Sequence, residues 1–151
     1  MENRTDFSIV IYNDVYREEM ISMIKEAGRS LGLDSKIRDD LYDITKNYLQ
    51  KGDSFFLALQ KEEVVGCLGF SRIPNTQEAF LHRFYIKASL KRQGIGSELL
   101  AFVEGKMRRE NIKTAKVHLG GERDIWFESY NFYPKHGYVE YEPRYMLKPL
   151  T

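Results

Sequence analysis

The order of elements along the sequence predicts an α/β (α+β) fold, in which about four helices flank a mixed, mainly antiparallel sheet of about seven strands. Two observations indicate this class. Two apolar runs over residues 54–70 are separated by a short polar turn, which predicts an antiparallel hairpin. Further along, a helix opens at Gly94 between two strands, which predicts one βαβ-like crossover.

Length and charge narrow the function classes. The chain has 151 residues and fits a single domain over 1–151, since no linker or low-complexity tract divides it. Its 23 basic and 22 acidic residues give a net charge of +1, whereas a general nucleic-acid binder usually has a clear basic excess. We therefore expect no nucleic-acid partner.

Segments that would direct the chain to a membrane or out of the cell are not evident. The sequence has no apolar window of about eighteen residues, the length of a membrane span, and its N-terminus has no secretory pattern. Cys67 is its one cysteine, so no intramolecular disulfide can form. These observations favour a cytoplasmic protein with no membrane partner.

The first strand and the first two helices are predicted from apolar spacing. Residues 7–12 (FSIVIY) form a strand, and Asp14 caps the first helix. The apolar positions of that helix recur at three and four residues: Met20, Ile24, Ala27 and Leu31. A second helix, which Gly52 ends, carries its apolar stripe at Ile37, Leu41, Ile44 and Tyr48.

The rest of the chain alternates strands with two more helices. The predicted strands are SFFLAL (54–59), VVGCLGF (64–70), AFLHRFYI (79–86), TAKVHL (114–119), YVEYE (138–142) and RYMLK (144–148). Pro74-Asn75-Thr76 is a turn. One helix runs from Gly94 to about Arg109, and the last runs from about Asp124 to Tyr133 before Gly137 ends it.

The loop between the fourth strand and its helix, KASLKRQGIGSELL, has features of an anion site. A helix N-terminus exposes unpaired N–H groups and the positive end of the helix dipole, so it favours phosphate. Gly94 and Gly96 remove side chains where the backbone would approach an anion. Lys91 and Arg92 add positive charge, and Ser97 adds a hydroxyl donor.

The two glycines alone are equally compatible with an ordinary strand-to-helix turn that needs unusual dihedrals. Two specific nucleotide motifs do not fit the loop. The dinucleotide fingerprint needs a third glycine where Leu99 stands. The nucleotide P-loop needs Gly-Lys-Ser/Thr, which Ile95-Gly96-Ser97 does not supply.

Two motifs together resemble those of the GNAT superfamily of N-acetyltransferases. That family carries (Gln/Arg)-x-x-Gly-x-(Gly/Ala), whose first glycine stands eight positions after an apolar strand residue, which is Ile86 here. Gly94 and Gly96 match, and Lys91 keeps a cation at the first position. The segment FYPKHGY (132–138) is similar to the family's Phe-Tyr-x-Lys-x-Gly-Phe helix end. The resemblance covers nearly the whole chain and implies a three-layer GNAT-like fold.

By this resemblance, acetyl-CoA is the acyl-donor cosubstrate. The main chain of Phe84, Tyr85 and Ile86 would pair with the pantetheine arm, and an N–H near Ile86 would polarise the thioester carbonyl. The residues implied in binding the pyrophosphate follow one another along the loop: Lys91, Arg92, Gln93, Gly94, Ile95, Gly96 and Ser97.

The resemblance also implies catalytic residues. Tyr133 aligns with the family's general acid, and a phenol is protonated at neutral pH. One candidate for the general base is His82, four residues before Ile86 and therefore on its face of the strand. Glu122, after the fifth strand, is the other candidate, and water could also relay the proton. Trp126 stands where members often place an asparagine that contacts the cofactor, which leaves that contact open.

Other polar residues suggest little chemistry. Cys67 lies among apolar strand residues and is interpreted as a buried hydrophobe. His118 and His136 have no Cys, Asp or Glu at a metal-ligand spacing, so no metal is expected. The aspartates of the second helix either form a solvated face or attract a cationic amine: Asp39, Asp40 and Asp43.

We therefore expect an acetyl-CoA-dependent N-acetyltransferase that acts on a primary amine by direct attack in a ternary complex. The acceptor is a small molecule or a protein amine. The alternative is a catalytically weak or inactive acyl-CoA-binding or sensor domain, and an interaction module without a cofactor is a third class. A homodimer is common in the family, although the sequence shows no interface.

Overall fold

The structure, a computed structural model, describes residues 6–30, 37–120 and 127–150. Its strands are β1 (Ser8–Ile11), β2 (Ser54–Gln60), β3 (Glu63–Arg72), β4 (Glu78–Ile86), β5 (Thr114–His118), β6 (Val139–Glu142) and β7 (Tyr145–Pro149). Its α-helices are α1 (Arg17–Ser30), α2 (Ile44–Asn47), α3 (Ile95–Arg109) and α4 (Phe127–Lys135). The strands form one sheet in the order β1-β2-β3-β4-β5-β7-β6, so the described residues confirm the predicted fold class.

The chain divides into two compact units. The first comprises Met1–Gly69 and Arg83–Val103, and the second comprises Phe70–His82 and Glu104–Thr151. The divisions fall inside β3, β4 and α3, so each of these three elements contributes residues to both units.

In the first unit, β2 is buried on both of its faces. It runs antiparallel to β1, with Ser8 opposite Leu59. Phe55 and Leu59 belong to the main core cluster of this unit, whereas the ring of Phe56 lies edge-on against that of Phe102 in α3, with 5.5 Å between centroids. A strand that is covered on both faces needs apolar side chains at successive positions, which explains the unbroken run in β2.

The core of the first unit collects the apolar stripes that the sequence predicts. One hydrophobic cluster of this core has the buried members Tyr12, Met20, Met23, Ile24, Ile37, Leu41, Ile44, Tyr48, Phe55, Leu57, Leu59, Val64 and Cys67. The predicted burial of Cys67 is confirmed, and burial raises the pKa of its thiol to about 12. Leu31, the last predicted position of the first stripe, lies outside the described residues.

The prediction of one continuous second helix is wrong. Asp39–Tyr42 and Leu49–Lys51 are 3-10 turns on either side of α2. The break lies at Asp43, which has φ −147° and ψ 74° and whose side chain accepts a hydrogen bond from the N–H of Lys46 at 3.1 Å. An aspartate that caps the following turn competes with continuation of the preceding one, so the buried stripe is retained while the helix is interrupted.

The start of the first helical segment also differs from the prediction. The capping side chain belongs to Asn13, whose Oδ1 accepts a hydrogen bond from the N–H of Val15 at 2.9 Å. Asp14 instead accepts a hydrogen bond from the Thr45 hydroxyl at 2.8 Å and pairs with Arg17 at 3.3 Å. The first turn, Asp14–Tyr16, is therefore a 3-10 turn that leads into α1.

The predicted hairpin and crossover are both present. Lys61 and Glu62, which join β2 to β3, have φ values of 51° and 65°. Two successive residues with positive φ are typical of the tight turns that match the twist of a hairpin. β4 pairs in parallel with β5, with Glu78 opposite Thr114, and α3 lies between the two strands in the chain.

The sheet of the second unit has one buried and one partly exposed face. The buried side chains of its strands are Phe70, Ala79, Leu81, Ala115, Val117 and Met146. On alternate positions, Phe80 and His118 contact the ring of Tyr145, at centroid distances of 6.3 and 4.6 Å. None of the helices in the described part of the chain has the length and apolar character needed to span a bilayer.

Replacing Asp43 by alanine removes the side chain that caps α2. We expect the free energy of unfolding to fall by about 1 kcal/mol, as is typical for the loss of an N-cap. Urea denaturation followed by circular dichroism measures this change. Asp39→Ala is the matched control, because Asp39 is exposed in the same acidic segment, and equal losses in the two variants would contradict the capping role of Asp43.

Candidate active site

The loop before α3 alternates in the sign of φ. Lys91 is extended, with φ −65° and ψ 152°, whereas Arg92 and Gly94 have positive φ values of 66° and 88°. Helix α3 then begins at Ile95. A turn with left-handed residues directly before a helix is typical of the places where main-chain N–H groups bind an anion.

The start of α3 is anchored by apolar side chains beneath this loop. Ile95 and Leu99 are fully buried, whereas residues 92–94 are exposed. The first N–H groups of a helix have no acceptor within the helix. The loop therefore presents main-chain donors, together with the charges of Lys91 and Arg92, at the surface of the first unit.

β3 approaches the end of β4 closely, because Gly66 has no side chain. A Cβ atom at Gly66 would lie 2.9 Å from Ile86 Cδ1 and 3.3 Å from the carbonyl oxygen of Tyr85. The N–H of Lys87 donates to the carbonyl of Val65 in β3 at 2.8 Å. Since neighbouring residues of an extended segment turn their N–H groups to opposite edges, the N–H of Ile86 faces away from β3.

Strand β4 is interrupted by a residue in the left-handed region. Arg83 has φ 58°, and the register of β4 with β5 ends before it, at Leu81 opposite Val117. This interruption lies between His82 and Ile86. Their four-residue spacing therefore does not place them on one face of the strand, because the sequence-based argument assumes unbroken alternation.

The side chain of Arg83 is bound by Asp40 through two hydrogen bonds. Arg83 Nε lies 3.0 Å from Asp40 Oδ2 and Nη2 lies 2.9 Å from Oδ1, while the Tyr48 hydroxyl donates to Oδ2 at 2.7 Å. Burial opposes ionisation of Asp40, but the bonds from Arg83 and Tyr48 outweigh it and hold the pKa of the carboxyl below its ordinary value. A bidentate, charge-assisted pair of this kind is strong and directional.

The three aspartates of the acidic segment have different environments. Asp40 binds Arg83, and Asp43 caps α2. The interpretation as a solvated face therefore applies to Asp39, which is exposed, and not to the other two. Since two of the three carboxylates have partners within the protein, the acidic composition of this segment does not indicate a cationic acceptor.

His82 contacts Ser71, which is not among the predicted site residues. Ser71 Oγ lies 2.6 Å from His82 Nε2, so the hydroxyl restrains the ring. Since a hydroxyl can donate or accept, the tautomer of the imidazole sets the direction of this hydrogen bond. Both residues belong to the second unit. The predicted turn at Pro74-Asn75-Thr76 implies that the two strands are neighbours, but a turn centred at Asn75 would place position 71 opposite 79, so the sequence did not indicate the contact with His82.

Tyr133 lies in the motif that ends α4. Gly137 has φ 95° and its N–H donates to the carbonyl of Pro134 at 3.2 Å, while the N–H of Tyr138 donates to the carbonyl of Tyr133 at 3.1 Å. These two bonds define a Schellman motif, which commonly has glycine at the left-handed position. The rings of Tyr133 and Tyr138 also contact each other, at 5.3 Å between centroids. The predicted helix end at Gly137 is confirmed.

The ring of Tyr138 is in turn held by a buried carboxylate. Glu104 of α3 is 4% exposed and accepts hydrogen bonds from the Tyr138 hydroxyl at 2.7 Å and from Lys148 Nζ at 2.9 Å. Burial raises the pKa of Tyr133, and burial together with the charge of Glu104 raises that of Tyr138. Both phenols therefore keep their protons well above neutral pH.

The residues predicted to form the site are distributed over both units. Phe84–Ile86 and Lys91–Ser97 lie in the first unit, where the 3-10 turn Ala88–Leu90 joins them. His82 and Tyr133 lie in the second unit.

The structure describes neither of two residues that the sequence places near the site. Glu122 and Trp126 lie outside the described residues. Within 6–30, 37–120 and 127–150, no three His, Cys, Asp or Glu side chains cluster so as to hold a metal ion. His118 stacks on Tyr145, and the ring of His136 lies 4.5 Å from that of Phe132.

The left-handed residue in β4 had no signal in the sequence. The apolar run 79–86 predicts an unbroken strand, and nothing in its pattern distinguishes Arg83. The partner of Arg83 is Asp40, which lies 43 residues away in the chain. Such a pairing becomes visible only when the segments that carry both residues are positioned in space.

Comparison with known families gives a match over most of the chain. A sequence model described as the Acetyltransferase (GNAT) family matches residues 14–138, a span that includes both glycine motifs. No curated protein matches the sequence significantly.

Solved structures of acetyltransferases share the fold. A GNAT-family acetyltransferase from Staphylococcus aureus Mu50 is 25% identical, with 97% of this chain and 100% of that chain covered and a TM-score of 0.85. PaiA N-acetyltransferase from Thermoplasma acidophilum, in complex with coenzyme A, is 19% identical, with coverages of 96% and 99% and a TM-score of 0.81. An aminoglycoside 6'-N-acetyltransferase complexed with coenzyme A is 16% identical, with coverages of 95% and 97% and a TM-score of 0.73.

Replacing Gly94 by alanine tests whether its conformation is required. A Cβ atom there would lie 3.8 Å from Glu98 Oε2, an ordinary contact, so the cost comes from the φ of 88° and not from a clash. We expect the free energy of unfolding to fall by about 1 kcal/mol or more. Urea denaturation measures the change.

The control for this variant is Gly105→Ala in the same helix, where a Cβ atom would meet nothing within 4 Å. A glycine-to-alanine change within a helix should stabilise the protein by up to about 1 kcal/mol. Stabilisation by both variants would show that Gly94 does not need its left-handed conformation.

Proposed function

Since the chain belongs to the acetyltransferase (GNAT) family, we propose that it transfers the acetyl group of acetyl-CoA to a primary amine by direct attack in a ternary complex. The observation that carries this proposal is the loop before α3, where positive φ values at Arg92 and Gly94 form a turn directly before the N-terminus of the helix. A diphosphate is the kind of anion that such a turn at a helix N-terminus accepts.

We assign CoA binding to two adjacent segments of the first unit. Lys91–Ser97 would bind the pyrophosphate through main-chain N–H groups, and Lys91 and Arg92 add positive charge. The main chain of Phe84–Ile86 would bind the pantetheine arm along the edge of β4 that faces away from β3. The direction of the Ile86 N–H, opposite to that of Lys87, supports its assignment as the donor to the thioester oxygen.

The reaction needs a proton to be removed and another to be supplied. Attack forms the C–N bond and breaks the C–S bond, so the amine nitrogen loses a proton and the departing thiolate gains one. We assign the second transfer to Tyr133. Burial raises the pKa of its phenol, which keeps the group protonated when the thiolate leaves and also makes it a weaker acid. Its position at the end of α4, against Tyr138, keeps the ring in one place.

The base is assigned to His82, with Glu122 and a water relay as the alternatives. The contact of Ser71 Oγ with His82 Nε2 at 2.6 Å supports a ring of fixed orientation. An imidazole also titrates in the neutral range, where a base for an amine is most effective.

The acceptor is a primary amine on a small molecule or a protein, and we propose that residues 1–151 act as one domain in the cytoplasm. Alignment with 97% of this chain and 100% of the Staphylococcus aureus acetyltransferase supports the single domain. The buried Cys67 thiol is compatible with a reducing compartment.

Titration calorimetry with CoA and acetyl-CoA, followed by free-thiol release over a panel of primary amines, tests the proposal. We expect CoA to bind and at least one amine to give turnover. Absence of CoA binding would overturn the proposal, and binding without turnover on any amine would favour the acyl-CoA-binding alternative.

Tyr133→Phe tests the general acid. We expect kcat to fall about 100-fold or more, with the Kd of CoA unchanged, because the variant loses a proton donor and keeps the ring. Since burial raises the pKa of Tyr133, loss of its proton should not lower wild-type activity up to about pH 10. Tyr141→Phe, at an exposed tyrosine of the same unit, is the control, and a Tyr133→Phe enzyme with normal kcat would exclude the role.

The pH dependence of kcat/KM distinguishes the candidate bases. A base works when deprotonated, so activity rises as pH passes its pKa, at about 6.5 for an ordinary imidazole and about 4.3 for a glutamate. We expect His82→Gln to remove a rising limb near neutral pH and to lower kcat/KM about 100-fold. His118→Gln, at an exposed histidine, is the control, and loss of the limb in Glu122→Gln instead would assign the base to Glu122.

A further inference from the structure

We propose that the Asp40–Arg83 ion pair is a positioning device, which maintains the interruption of β4 and thereby sets the direction of the main-chain groups of Phe84–Ile86. The inference deepens the proposed function, because it rests on the assignment of Phe84–Ile86 to CoA binding.

Arg83 adopts an unfavourable backbone conformation. Its φ of 58° lies in the left-handed region, although it is not a glycine and stands inside a strand. A residue with a Cβ atom stays in this region only where contacts with the surrounding structure hold it there.

Arg83 is restrained by contacts on both its side chain and its main chain. Nε and Nη2 bind the two carboxylate oxygens of Asp40 at 3.0 and 2.9 Å. On the main chain, Cys67 Sγ donates to the carbonyl of Arg83 at 3.3 Å. The thiol comes from a fully buried residue, so this restraint on the carbonyl is anchored in the core.

Asp40 is itself fixed in place. It accepts a hydrogen bond from the Tyr48 hydroxyl at 2.7 Å, and its carbonyl accepts one from Asn47 Nδ2 at 3.3 Å. The next residue, Leu41, is fully buried in the core of the first unit. The carboxylate is therefore a rigid partner for the guanidinium.

The conformation of Arg83 sets the direction of the main-chain groups that follow it. If Arg83 relaxed to an extended conformation, the strand would lose its interruption, and every later residue would exchange the edge toward which its N–H points. The N–H of Ile86 now faces away from β3, while that of Lys87 donates to Val65. The ion pair therefore determines which main-chain groups are presented at the open edge of β4.

Two substitutions at Arg83 separate this role from that of an ordinary ion pair. Arg83→Ala and Arg83→Gly both remove the guanidinium, but glycine adopts positive φ without strain and alanine does not. We expect Arg83→Ala to weaken CoA binding about tenfold. This is the loss expected if only about a tenth of the molecules keep Phe84–Ile86 in the orientation that binds CoA. Arg83→Gly should retain an affinity closer to that of the wild type.

Asp40→Asn is a second, nearly isosteric variant that keeps the test valid if Arg83→Ala does not fold. It should weaken CoA binding on its own and have little further effect in the Arg83→Gly background, where there is no side chain to hold. Glu78→Gln is the matched control, because it breaks the pair with Lys116, at 2.8 Å, toward the other end of β4. We expect it to leave CoA binding unchanged.

Calorimetry with CoA and backbone chemical shifts of residues 82–87 are measured on each variant. Stronger CoA binding by Arg83→Gly than by Arg83→Ala, with shifts nearer to the wild type, supports the inference. Equal binding and equal shifts in the two variants overturn it while leaving the proposed function intact. Failure of the wild type to bind CoA overturns the proposed function, and the inference with it.

Discussion

Strand β4 changes character at Arg83, where φ becomes positive. Before this residue, alternate side chains are buried and the strand pairs in parallel with β5. After it, the chain lies against Gly66 and donates from Lys87 to Val65. In a regular strand the N–H groups point alternately to its two edges. An extra residue such as Arg83 shifts this alternation, so the N–H groups after it point to the opposite edges. The loop before α3 follows directly on this second part of β4.

Three carboxylates of the described residues, which are buried or half-buried, are bound by groups within the protein. Asp40 neutralises Arg83, Asp43 caps a helix, and the buried Glu104 binds both Tyr138 and Lys148. A carboxylate inside a protein needs such partners, because burying an unpaired charge is costly. Acidic or basic composition is therefore a poor guide to the acceptor.

The two glycine motifs have both a structural and a functional interpretation, and these do not exclude each other. Gly94 and Gly137 each adopt a left-handed conformation at the end of a helix, one before α3 and one after α4. The first conformation precedes the helix N-terminus that is proposed to bind an anion, and the second lies in the turn that brings Tyr133 against Tyr138. A turn that is needed for folding thus also positions the groups proposed for chemistry.

The sequence by itself determined the element order, the apolar stripes of the core and the two glycine motifs. These depend on local spacing and on a conformation that glycine adopts far more readily than other residues. Only the tertiary structure decided the break at Asp43, the left-handed Arg83 and the pairing of Ser71 with His82. At Asp43 a local cap competes with the helix between two buried residues, Leu41 and Ile44, and packing selects the outcome. The other two depend on contacts between segments that the chain brings together only when it folds.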